Sequence, residues 1–587
     1  MEITTAKIIL ANLRERIEVD GDGKFRLLGT ITQMELDALN YFLSQQPTER
    51  PPASAEPTIP YADTERAKTL ASDEASIPAE PLQSTSACEV IVDDAVMLDL
   101  STLSLPESDP NYRVCMDFGT AMSKATFVHD NEDDGMEDIQ VLKLGIPGNQ
   151  EQIDEMMLVS SVFIDTDGAL WFGQRAVEQA QFAPEGNNSR MDNIKRALSE
   201  ENLNEPVSST FNPTSHRLTY EDIVLAYLTF FTWTINYALF NDIEGPVVAR
   251  NFRRRFAMPC FPRPNALKVA DKLRVMLGEA QILADTFGDD IHNGLPLDNF
   301  LSALRKLRSE KRSYSFIEGS VTEPLGVAGS LLSWQSSQDS LALVVDIGAG
   351  TSDFSLYRLN VVVNDDGEIV KSAAGEVEGT ARGITEAGNH LDKILMALVL
   401  KKSGVDASHP KYRNITHALE RDIRFHKESL FGPSAEAAIT LYTGDPVDVS
   451  LEEFLAQPAV KSFEDSLRTT LIDILESAHP DWINWVRANP SRHLTVVLAG
   501  GGASLPMVKS LAQGTVTAHG VTIPVAAARS FPDWLRDDYP DLEEHYPRVA
   551  VSLGGARRNT ITSMGVLKTT GISVGGYQLD RFPTRGY

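Results

Sequence analysis

The chain has 587 residues, and its 53 Lys and Arg against 82 Asp and Glu leave a formal charge of −29. At roughly 150 residues per domain, that length allows about four structural units, each able to bury a core. So acidic a protein excludes broad attraction to nucleic acid or an anionic bilayer, while 42% hydrophobic residues exclude wholesale disorder; an anionic ligand would need a local, preorganised site.

Met1-Glu2-Ile3-Thr4 lacks the basic and apolar regions of a secretory leader. Residues 1–45 read as a small module: a helix, a turn at Asp20-Gly21-Asp22-Gly23, and a second helix from Thr32 to Leu43. Residues 46–110 hold nine of the 31 prolines, with many Ala, Ser and Glu, and read as a linker. Val90-Ile91-Val92 and Val96-Met97-Leu98 are candidate docking strands near its end. Cys88, Cys115 and Cys260 are too few for a disulfide framework and lack metal-ligand spacing, which suits a reducing cytoplasm.

From residue 111 the pattern is α/β, with continuous apolar runs such as Arg113–Met116, Leu341–Val345 and Leu494–Leu498 that suit strands covered on both faces. Asp130 to Asp138 reads as a solvated hairpin loop. Ile223 to Phe240 has the length of a membrane span but is interrupted by Thr229, Thr232, Thr234 and Asn236. Thr219 with Asp222 marks its start, and it reads as a buried core helix or an exposed partner-binding one. Arg253-Arg254-Arg255 reads as the solvated start of a strand rather than a nucleic-acid contact.

Three glycine turns carry chemistry. Val114–Ser123 delivers Asp117 at a strand end, then Gly119, Thr120 and Ala121. Leu343–Asp353 repeats this logic with Asp346, Gly348, Ala349, Gly350, Thr351 and Asp353. Facing each other, two such hairpins form a pincer whose amides cradle a polyphosphate while Asp117, Asp346 and Asp353 hold a hydrated Mg²⁺. After a third strand, Gly500, Gly501 and Gly502 leave room for a flat ring against the backbone, and a helix follows near Pro506.

As an ordered set, Asp-Phe-Gly-Thr, Asp-Ile-Gly-Ala-Gly-Thr-Ser-Asp and Ala-Gly-Gly-Gly resemble the ATPase superfamily of actin, sugar kinases and seventy-kilodalton heat-shock chaperones. The DnaK-type chaperone nucleotide-binding domain is the nearest member. Ser160–Phe163 with Leu170–Ala176 is similar to its first-lobe hairpin, Phe256–Pro259 and Thr322–Leu325 to its switch-proline and Glu-Pro elements, and Ala550–Ala556 to its closing helix. The resemblance spans about residues 111–560. It implies a two-lobed actin-like ATPase fold of duplicated ribonuclease-H-like lobes with a small N-terminal extension and linker. Lobe I would be 111–338, lobe II 339–565 with a smaller subdomain at 382–490, and the tail 566–587.

The resemblance further implies ATP/ADP and Mg²⁺ as ligands. Lys195 would neutralise charge in phosphoryl transfer to water, Thr120 and Thr351 would bond phosphate oxygens, and Glu323 would sense the γ-phosphate or simply cap its helix. Gly388 and Lys427 would complete the nucleotide site, and Asp392 closes the family turn that Gly388 opens. Ala349 replaces a family glycine, Ser504 an adenine-stacking arginine, and Glu428 and Phe431 depart from the purine clamp. About thirty residues follow Ala556, too few for a client-binding sandwich.

The expected function is therefore a slow, Mg-dependent cytoplasmic ATPase acting as a nucleotide-controlled switch on a protein partner. It would be a monomer or small oligomer that contacts neither nucleic acid nor membrane. An actin-like filament or scaffold, a small-molecule kinase and a pseudo-ATPase are the alternatives.

Overall fold

The computed structural model describes residues 17–19, 25–27, 96–131, 136–148, 155–182, 188–199, 202–242, 249–258, 263–570 and 572–573. The chain divides into two compact units between Met97 and Leu98. In the first, Ile17–Val19 and Phe25–Leu27 pair antiparallel and flank the segment expected to turn. The helices expected in residues 1–45, most of the linker, Cys88, Cys260, Pro259 and the end of the tail lie outside the described residues.

The second unit is mixed α/β and starts before residue 111, because residues 98–110 pack into it. The Asp99 amide donates to Thr286 Oγ1 at 2.9 Å, Thr102 bonds Asp285, and Asn251 Nδ2 donates to the Pro106 carbonyl at 2.5 Å. These residues are folded structure rather than linker, although Val96–Leu98 form no strand.

Its first large sheet is built from β1 (Tyr112–Asp117), β2 (Met122–Asp130) and β3 (Glu137–Val141). β4 (Ser161–Ile164) and β5 (Ala169–Phe172) form the expected hairpin in a smaller sheet. Next come α1 (Tyr220–Asp242), β6 (Arg253–Met258), α2 (Arg263–Phe287), β7 (Ile317–Thr322) and α3 (Glu323–Leu331). The sheet order is β7-β6-β1-β2-β3, with β6 parallel to both β1 and β7 and with antiparallel hairpins on the other side. Val114 to Asp117 are buried, as a central strand covered on both faces requires.

A second sheet repeats this plan. It contains β8 (Gln338–Ile347), β9 (Ser352–Val363) and β10 (Ile369–Val377). α4 (Gly388–Ser403) and α5 (Tyr412–Leu430) follow, then β11 (Leu494–Ala499), β12 (Val521–Ala527), α6 (Tyr546–Ala556) and β13 (Thr562–Thr569). β8 is antiparallel to β9 and parallel to β11, and β11 is parallel to β12. In both sheets the first strand is central, with the second and third on one side and the fourth and fifth on the other. β13 adds in parallel to β10, so the expected boundary at 565 falls inside a strand, and residues 566–569 belong to the sheet.

α1 is long and apolar enough to cross a membrane, but it is largely buried inside the protein. Thr219 caps it, its amide and hydroxyl donating to Asp222 Oδ2 at 2.9 and 2.7 Å. Of its two readings, the core helix holds. α3 and α6 cross where a Cβ on Gly554 would overlap the Gly326 carbonyl and reach within 2.6 Å of the Ser330 amide nitrogen. Only a residue without a side chain permits that approach.

Two expectations about charge are corrected. Arg253-Arg254-Arg255 lies in a central strand: Arg254 is buried against Asn236 Oδ1 at 2.5 Å, and Arg255 pairs with Glu318 at 2.8 Å. Within the acidic hairpin, Asp138 is exposed and residues 132–135 lie outside the described residues, but its first residue is not solvated. Arg113 and Arg558 bind buried Asp130 at 2.5 and 2.8 Å, and Arg557 binds Glu137 at 2.9 Å.

Candidate functional site

The two glycine hairpins meet. Asp117 ends β1, Phe118 to Ala121 turn, and β2 returns; a Cβ on Gly119 would overlap the Met122 carbonyl oxygen. Ser160 Oγ donates to the Gly119 carbonyl at 2.8 Å, and the Ser160 amide donates to that of Ala121 at 2.9 Å. In the second hairpin the Gly348 amide donates to the Thr351 carbonyl at 3.0 Å, and Thr351 Oγ1 donates to Asp353 Oδ2 at 2.8 Å. The turns approach so closely that a Cβ on Gly350 would stand 2.8 Å from Thr120 Cγ2.

The third turn lies against the second. The Gly502 amide donates to the Ile347 carbonyl at 2.9 Å, and Gly500 has φ +78°. A Cβ on Gly500 would collide with Asp346 Oδ1, and one on Gly502 with the Ile347 side chain, so two of the three glycines are required by contact with β8. Gly501 and Ser504 are exposed, with open space where a Gly501 side chain would stand. A short helix begins at Pro506, as expected.

Lys195 sits just before a four-residue helix and after Asn193, whose backbone is left-handed at φ +57°. Its ammonium is buried and lies 2.5 Å from Glu323 Oε1. Glu323 is the first residue of α3, so the pair ties that helix to the Lys195 segment. Thr322 precedes the helix without a side-chain cap bond, and Glu323 serves the lysine instead of the cap. Asn389 Nδ2 donates to Asn193 Oδ1 at 3.2 Å, which links the Lys195 segment to the start of α4 beside the second sheet.

Charge is concentrated here. Lys124 of β2 stands across the hairpin from Asp117 in register and pairs with it at 3.3 Å. Burial pushes Asp346 up to about 7, with Glu323, Asp353 and Asp117 adding repulsion and Lys124 opposing. Burial and Glu323 likewise raise Asp353 to about 6, against the Thr351 hydrogen bond and Lys195. Burial alone would discharge Lys195, but Glu323, Asp117 and Asp346 outweigh it and hold its ammonium above the ordinary lysine range.

Asp117, Glu323, Asp346 and Asp353 outnumber Lys124 and Lys195 by two when all are ionised, the charge a divalent cation would offset. Among the described residues no three His, Cys, Asp or Glu side chains are grouped to ligate a metal directly.

The remaining expected residues sit beside the second hairpin. The Gly388 and Asn389 amides, at the start of α4, donate to the Gly348 and Ala349 carbonyls at 3.0 and 2.7 Å. Lys427 of α5 donates to the Gly388 carbonyl at 3.0 Å and pairs with Asp392 at 2.7 Å. In this structure they brace the turn. Sequence reasoning missed Lys124, Asn193, Asn389 and Ser160; only Lys124 carried a local signal, as the residue seven after Asp117 in a hairpin.

No family model matches this chain, and no curated protein matches it either.

Proposed function

We propose that the unit from Leu98 onward is a two-lobed, actin-like ATPase of duplicated ribonuclease-H-like lobes, nearest in kind to the DnaK-type nucleotide-binding domain. In this reading it binds ATP with Mg²⁺, hydrolyses it slowly, and acts as a nucleotide-controlled switch toward a protein partner. The carrying observation is the repeated five-strand plan, in which each central first strand carries an aspartate as its last or next-to-last residue, a glycine turn follows, and the two turns meet. Either hairpin alone would be an ordinary turn; a matched pair brought tip to tip is a phosphate pincer.

Thr120, Ala121, Ala349 and Gly350 would present hydroxyl and amide donors to phosphate oxygens. Bound Mg²⁺ would supply positive charge to the phosphates, held through water by Asp117, Asp346 and Asp353. Lys195, kept protonated by its acidic neighbours, would neutralise charge developing on the transferred phosphoryl group. Glu323 would trade its lysine contact for the γ-phosphate state, and α3 would carry that change to α6.

Nucleotide binding without turnover is the second reading, favoured by Lys195, whose ammonium is already held by Glu323 at 2.5 Å. Phosphate release decides between them. The wild type should release inorganic phosphate from Mg-ATP, and Lys195→Ala should lower the rate about a hundredfold or more while ATP still binds. Undiminished release from that variant would remove Lys195 from catalysis; no release from the wild type would leave the binding-only reading.

A further inference from the structure

Ser160 reaches the first glycine turn twice. Its amide donates to the Ala121 carbonyl at 2.9 Å and its hydroxyl to the Gly119 carbonyl at 2.8 Å. In a planar trans peptide the carbonyl and the N–H that follows it point opposite ways. With the Gly119 carbonyl drawn back to Ser160, the Thr120 amide is directed away from it. The second turn is built alike. There the Gly388 and Asn389 amides hold the Gly348 and Ala349 carbonyls, which directs the Ala349 and Gly350 amides away from the start of α4. Of these ties, the one to Gly119 comes from a side chain.

That side chain is itself held. Ser160 Oγ lies 3.0 Å from Ser123 Oγ and 3.2 Å from the Tyr227 hydroxyl, and Tyr227 donates to Ser123 Oγ at 3.0 Å. Each hydroxyl has one proton to give. Ser160 gives its own to Gly119, so it accepts from Ser123, which accepts in turn from Tyr227. The three oxygens form a one-way chain from α1 to the turn, and the bonds of such a chain strengthen one another. All three residues are buried, and the Tyr227 ring stacks on Phe118 of the turn at 5.4 Å.

We propose that Ser160 is a positioning residue of the phosphate site, set by Ser123 and Tyr227, so that α1 fixes the direction of the Thr120 amide. Without the chain, the backbone freedom of Gly119 would let the Gly119–Thr120 peptide rotate and turn its oxygen toward the phosphate. The proposal rests on the nucleotide reading, because the anion that this amide would meet is the polyphosphate of ATP.

The test is a calorimetric titration of Mg-ATP into the full-length wild type and its variants. Ser160→Ala frees the Gly119 carbonyl and should raise Kd about fivefold at unchanged stoichiometry. Tyr227→Phe keeps the ring, loses the hydroxyl that starts the chain, and should raise Kd about threefold. Because Tyr227 acts through Ser160, the double variant should bind no more weakly than Ser160→Ala, whereas independent effects would multiply to about fifteenfold. Residues serving only the fold would lower the stoichiometry and the melting temperature, and Kd would stay at its wild-type value in the protein that remains folded. If Ser160→Ala does not fold, Tyr227→Phe decides by the same shift. Undiminished affinity in either single variant, or multiplied losses in the double, would overturn the proposal and leave the nucleotide reading standing. No binding of Mg-ATP to the wild type would overturn both.

Discussion

Lys195 and Glu323 form a buried ion pair, so the effects of changing either extend beyond catalysis. Lys195→Ala strands a carboxylate in the interior and should cost about 3 kcal/mol of stability. Lys195→Met with Glu323→Gln removes both charges at similar volume, and most of that loss should return while turnover stays absent. Urea melts of the two variants, read beside phosphate release, separate structural from chemical roles. A double variant no more stable than Lys195→Ala would show that the pair is not what holds these segments together.

The aspartates behave in the opposite sense from a salt-bridged carboxylate. Asp346 and Asp353 bind their protons more tightly folded than unfolded, with values near 7 and 6 against an ordinary 3.8. Their contribution to stability is full at low pH and is lost as pH rises through those values. Without metal, wild-type melting temperature should fall from about pH 5 to about pH 8 more steeply than that of Asp346→Asn. Mg²⁺ should restore part of the loss at the higher pH, because the cation binds the ionised carboxylates. An identical slope in the variant would contradict the crowding assigned to Asp346.

At the scale of elements, the contact between α3 and α6 is the most constrained. Gly→Ala within a helix ordinarily gains about 1 kcal/mol of propensity. Gly554→Ala should do the reverse, costing about 3 kcal/mol, because its methyl would overlap the Gly326 carbonyl. A melting temperature at or above wild type would mean the helices can separate freely. Elements of this kind were only partly legible in the sequence. The glycine hairpins, the capped helix at Thr219 and the strand at Leu494 are written in local patterns of a few residues. Lys195 with Glu323 lies 128 residues apart, and Asn193 with Asn389 lies 196 apart. No local period encodes such pairings; they exist only once the sheets are assembled. Arg254 misled for the same reason, since a charged run reads as solvated until β7 and β1 close on both its sides.

For the whole molecule, the charge of −29 and the proposed ligand stand in apparent conflict. An acidic surface weakens long-range attraction for ATP, and at short range the site itself adds carboxylates. Lys124 and Lys195 cannot offset them alone, so the proposed nucleotide would need a divalent cation beside it. The same charge disfavours close self-association, which argues for a switch over a filament. The most direct measurement is a calorimetric titration of ATP into the full-length protein, with Mg²⁺ and then with excess chelator. Saturable binding at one site is expected with Mg²⁺, weakened at least tenfold, about 1.4 kcal/mol, by the chelator or by Asp346→Asn. Absence of binding with Mg²⁺ present, or binding indifferent to both the metal and Asp346, would contradict a metal-dependent phosphate pincer.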